Sequence, residues 1–130
     1  MAAGQLSLTR RALLAGACAA PLAGGGGDAG AGAVRDASDG EERWRSALRR
    51  LGEAEALMMQ AGDTRDERLY DRLGARHDAA LKALLRTPAP NLAALAFKLD
   101  LLIVEQAWEI TGGELCVGAL RRDAHRFARG

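Results

Sequence analysis

The side chains best suited to catalysis or metal binding are few: two histidines, His77 and His125, and one cysteine beyond the N-terminal segment, Cys116. A helical di-metal centre draws its ligands from Glu-x-x-His pairs. Here Gly74 stands three before His77, Arg122 stands three before His125, and no His-x-x-x-His frame exists. His77 is followed by Asp78, but neighbours one apart on a helix do not face each other. His77 is therefore expected to be a partly buried structural histidine, and His125 a solvated one. Cys116 falls on an apolar edge and reads as an inert core thiol. The chain has no Cys-x-x-Cys-His and no Gly-x-Ser-x-Gly. No catalytic residue, cofactor or metal is expected on these grounds, and an enzyme ranks behind a binding role.

One charged constellation remains. Arg121, Arg122, His125 and Arg126, with Arg129 beyond them, form a basic cluster near the end of the chain. Cations suit a helix C-terminus on electrostatic grounds alone. The functional reading makes Arg121, Arg122, His125 and Arg126 the residues that touch an acidic or phosphate-bearing partner. The whole-chain charge gives little support for nucleic acid. It is +1 over the chain, and from Arg35 onward 16 Lys plus Arg balance 16 Asp plus Glu. Long-range attraction to a polyanion needs a clear excess of one sign. Trp108 to Phe127 has the outline of a helix-turn-helix, an outline shared by any α-hairpin.

Those residues need elements to hold them, and the patterning is helical. Aromatics make up 4% of the chain, β-branched residues are scarce, and Ala, Leu and Arg dominate, a balance that favours helix. The most apolar segment beyond the N-terminus is 91–110, NLAALAFKLDLLIVEQAWEI. Leu92, Leu95, Ala96, Leu99, Leu102, Ile103, Ala107 and Ile110 recur there at helical spacing. Leu101, Val104 and Trp108 widen that face, so this helix is expected at the centre of a bundle, with Trp108 in the core. Its charges argue against a membrane span. Upstream, Trp44, Leu48, Leu51 and Met58 form a stripe broken by Glu55, in a helix capped by Ser38 or Asp39 and ended by Gly62. Asp63 or Thr64 is expected to cap a second helix with Leu69, Leu73, His77, Leu81 and Leu84 on its inner face. Thr87-Pro88-Ala89-Pro90 stops it, Asn91 caps the next, and Thr111-Gly112-Gly113 leads into a last helix. Its apolar edge is Leu115, Cys116, Ala119, Leu120, Ala124 and Phe127. The fold class is all-α: a small bundle of about four helices, preceded by a disordered signal and linker.

The N-terminal segment has a short polar lead, Arg10 and Arg11, a weakly apolar run and then small residues, the layout of an export signal. Thr9-Arg10-Arg11-Ala12-Leu13-Leu14 resembles the bacterial twin-arginine signal, with Ala15 where a lysine is common. Arg10, Arg11, Leu13 and Leu14 are the residues that resemblance assigns to the export machinery. An ordinary Sec signal is the alternative route, and Cys18 also raises a lipoprotein reading. The expected organisation is signal over 1–23, flexible Gly/Ala-rich linker over 24–37 and helical domain over 38–130.

Thr87 to Phe127 resembles a stretch found in small uncharacterised helical bacterial proteins. The likeness rests on Thr-Pro-Ala-Pro, an Ala/Leu-rich helix with a lysine, Trp-Glu-x-Thr-Gly-Gly-Glu and a Leu-x-x-Asp-x-x-Arg tail. It implies a shared architecture and assigns no function. The leading expectation is a non-enzymatic interaction module of the bacterial envelope, periplasmic, binding an unknown protein or itself, with no membrane span after cleavage. The alternative is a cytoplasmic helical protein, prophage-linked or nucleic-acid-associated, whose N-terminus stays on.

Overall fold

The computed structural model describes residues 31–130, with side chains from Arg35 onward. Arg10, Arg11, Leu13, Leu14 and Cys18, and with them the export signal and residues 24–30 of the linker, lie outside the described residues, whereas 31–37, expected as flexible linker, are helical. Among the described residues four helices follow one another: α1 (Ala31–Ala61), α2 (Glu67–Arg86), α3 (Leu92–Val104) and α4 (Gly113–Arg129). The fold is all-α, as the periodicity predicts. No helix among the described residues is long and apolar enough to cross a membrane.

Each helix boundary has a local cause. α1 runs through Ser38 and Asp39, which are exposed helical residues rather than caps. It ends where Gly62 takes a left-handed conformation at φ +53° and its N–H reaches the Met58 carbonyl at 3.3 Å, a conformation glycine adopts without steric penalty. Asp66, not Asp63 or Thr64, caps α2. Its Oδ1 accepts the N–H groups of Arg68 and Leu69 at 3.1 and 3.2 Å. Thr64 supports the cap from outside, its Oγ1 accepting the Asp66 N–H at 3.2 Å. Asn91 caps α3 as expected, through Oδ1 and the Ala94 N–H at 2.8 Å. At the head of α4, Gly112 sits at φ +84°. A Cβ on Gly113 would meet the Ala107 and Trp108 carbonyl oxygens at 2.5 and 2.6 Å, so only glycine fits.

The centre of the bundle is α2, which packs against each of the other three helices. Its buried face is His77, Leu81, Leu84 and Leu85. α1 contributes Trp44, Ala47, Leu48, Leu51 and Ala54 to the core. The expectation that segment 91–110 forms one long central helix is corrected. α3 stops at Val104 because Gln106 turns left-handed at φ +48°. The Gln106 N–H bonds to the Ile103 carbonyl at 3.3 Å and the Ala107 N–H to the Leu102 carbonyl at 3.0 Å, the paired closure of a Schellman motif. Beyond it the chain leaves helical phase. Ala107 turns fully inward, while Trp108 is 48% exposed and is not the core aromatic. That role belongs to Trp44 and Phe97, whose rings meet edge to face at 6.3 Å and 85° and join α1 to α3.

The face of α3 is corrected as well. Its buried residues are Ala94, Leu95, Phe97, Lys98 and Leu101. Leu92, Ala96, Leu99 and Ile103, expected inside, are exposed. At about 100° per residue, the exposed row lies roughly opposite the buried one. The helix is apolar on both sides, so periodicity alone could not orient it. A lysine does.

Candidate functional site

Lys98 is 0% exposed, and its burial follows from what surrounds it. Its Nζ donates to Asp123 Oδ2 at 2.5 Å and to the Thr87 carbonyl at 2.8 Å. Asp123, buried on the inner edge of α4, accepts the Ala89 N–H on the same oxygen at 3.1 Å. Its Oδ1 accepts from Arg126 Nη2 at 3.1 Å, and that guanidinium also donates to the Ala89 carbonyl. The Thr87-Pro88-Ala89-Pro90 segment is thereby fastened to α3 and α4. Ala89 is completely buried, so its backbone groups need partners, and Asp123 and Arg126 supply them. Burial pushes the Lys98 ammonium below its ordinary value, while the hydrogen bond and the charge of Asp123 pull it back up. A buried ammonium is tolerated when paired and hydrogen-bonded, and here it has both. This is a structural latch.

A second polar cluster lies where α1, α2 and the end of α3 converge. Glu55, His77 and Glu105 place one ligand atom each within 4.8 Å of one another. His77 Nε2 lies 3.8 Å from Glu55 Oε1, and its Nδ1 lies 3.8 Å from Asp78 Oδ1. The side chains of His77 and Glu55 are 10% and 16% exposed, and Glu105 Oε1 is buried. Glu105 is the C-cap of α3, so the turn at Gln106 fixes its backbone.

The basic cluster is divided. Arg121, Arg122 and His125 are exposed on α4. Arg126 is committed to the latch and stacks over the Phe127 ring, 4.8 Å from its centroid. Cys116 is fully buried, as expected of a core thiol, and burial raises its pKa. His77 is buried, as the apolar stripe implied. Its acidic neighbours were the missed part. The signal for them was present: Glu55 interrupts the stripe of α1 and His77 that of α2, so the two interruptions face each other across the first hairpin. Lys98 and Asp123 were missed because a lysine within an apolar run reads as an exposed interruption.

What the fold and the clusters define is a four-helix α-protein with a buried ionic latch and a separate acid–histidine cluster. No known protein family, no curated protein and no solved structure matches the chain.

Proposed function

We propose that the protein is a non-enzymatic interaction module of the bacterial envelope, exported by the twin-arginine route, which pairs with a second copy of itself through α3. The observation that carries the pairing is the exposed row Leu92, Ala96, Leu99 and Ile103, in which Leu92 and Ile103 are 66% and 62% exposed. Spacings of four, three and four make it a helix–helix seam. The row is symmetric about the midpoint between Phe97 and Lys98. A two-fold antiparallel pairing therefore sets Leu92 against Ile103 of the second copy and Ala96 against Leu99 of the second copy. Small then meets large, which suits a self-complementary surface. Charge balance from Arg35 onward also favours a like partner over a strongly charged one. The export half of the proposal rests on Arg10, Arg11, Leu13 and Leu14.

Two measurements test it. Light scattering across a concentration series should give a dimer for the wild type and a monomer for Leu99→Glu and Ile103→Glu, with the helical circular dichroism unchanged. A wild type that stays monomeric at every concentration overturns the pairing. Mass spectrometry of the native N-terminus should show a signal-type cut, which replacing Arg10 and Arg11 by lysine abolishes. An intact Met1 overturns export and returns the protein to the cytoplasm.

A further inference from the structure

We propose that Glu55, His77 and Glu105 form a binding site for a divalent transition-metal ion. The three residues come from three different elements, far apart in sequence, and their ligand atoms all lie within 4.8 Å of one another. Bonds of about 2.0–2.2 Å to nitrogen and oxygen in a tetrahedral shell set neighbouring donors roughly 3.4 Å apart. The 3.8 Å between His77 Nε2 and Glu55 Oε1 is close to that edge.

Charge favours a cation. With both carboxylates ionised, a neutral imidazole leaves the cluster with two negative charges, and a protonated one leaves it with one. A divalent ion on neutral His77 offsets the two carboxylate charges of Glu55 and Glu105 at a site that is mostly buried. The two ring nitrogens of His77 lie near different carboxylates. Metal-bound imidazole usually directs its other nitrogen at a carboxylate, which fixes the tautomer. Here Asp78 Oδ1 stands 3.8 Å from Nδ1, an ion-pair separation longer than a hydrogen bond, while Nε2 lies 3.8 Å from Glu55 Oε1. One imidazole with two carboxylates suits Zn2+ and its first-row neighbours better than Mg2+ or Ca2+, which take oxygen shells. The bound ion would tie α1, α2 and the end of α3 together, whether or not α3 pairs with a second copy.

The test uses the full chain stripped with chelator. Titration with ZnCl2 should show one ion per chain and a rise in Tm, and CoCl2 should give the intense visible absorption of a low-coordinate site. Glu55→Gln and Glu105→Gln keep side-chain shape and should each weaken binding by at least about tenfold, and Asp78→Asn by about tenfold. His125→Asn and Cys18→Ser should leave it unchanged. The His77 ring resonances should shift on Zn2+ addition, a readout that needs no variant. Absence of saturable binding, unmoved His77 resonances, or binding lost with His125 or Cys18 but kept in Glu105→Gln would each overturn the proposal.

Discussion

Lys98, Asp123 and Arg126 carry opposite charges in direct hydrogen bonds of 2.5 to 3.1 Å, whereas Glu55 and His77 stand 3.8 Å apart with a second carboxylate beside them. Both clusters sit in a bundle whose other buried groups are mostly apolar. The first is closed: each acceptor of Asp123 has a donor, and the donors are held by the loop and helices they join. The second brings two carboxylates to one imidazole at longer range. Burial by itself therefore does not distinguish the two clusters. Donor–acceptor distance does.

The closed cluster depends most on Asp123. Removing Lys98 leaves Asp123 paired with Arg126, but removing Asp123 leaves two cations together and the Ala89 N–H without its acceptor. Breaking a buried pair in this way costs about 3–5 kcal/mol, a large part of the 5–15 kcal/mol typical of a domain. Asp123→Ala should therefore lower the urea midpoint far more than Lys98→Met. Equal losses would mean that the latch is not organised around the carboxylate.

How much of this was legible in the sequence follows from what each residue's signal contains. Four helices and the Asn91 cap could be read because period, proline and cap chemistry are local. Gln106 could not be read as a helix end, since glutamine is an ordinary helix former and only the Schellman hydrogen bonds reveal its left-handed turn. That one turn displaced Trp108 from core to surface. The orientation of α3 was hidden for another reason: both of its faces are apolar, and the partners that draw Lys98 inward, Thr87 and Asp123, are distant in sequence. The Glu55–His77–Glu105 cluster needed the same long-range information, although Glu55 had already marked a break in an apolar stripe.

A pH series sharpens the contrast, with an effect of intermediate size. Burial holds Lys98 below its ordinary pKa of 10.5 in the folded protein. Between the folded value and 10.5 the unfolded chain binds more protons at this residue, so stability from Lys98 rises with pH there. The penalty for the buried ammonium is full below the folded value and relieved as the pH climbs toward 10.5. Urea unfolding of wild type and Lys98→Met from neutral pH to about 10 should show the wild type gaining on the variant as pH rises. Cys116, whose pKa is raised, works the other way at alkaline pH, but it is common to both proteins and largely cancels in the difference. Parallel profiles would show that Lys98 carries no net desolvation penalty.

The smallest effect is expected at Gln106, the backbone support of the second cluster. Its φ of +48° is left-handed, a region that crowds the Cβ of an L-residue and disfavours it by roughly 1–2 kcal/mol. Among the described residues, Gly62 and Gly112 occupy the other two positive-φ positions. Glycine at Gln106 relieves the strain but adds freedom to the unfolded chain, so the net gain should be only about 0.5–1 kcal/mol. A β-branched residue there should be destabilising, because its Cβ substituents meet the same crowding. Denaturant melts of Gln106→Gly and Gln106→Val therefore ought to move in opposite directions, with Asp123 and its partners untouched in both. If Gln106→Gly proved less stable than wild type, the glutamine side chain itself would be supporting the turn that presents Glu105, and the backbone-strain account would fail at that position.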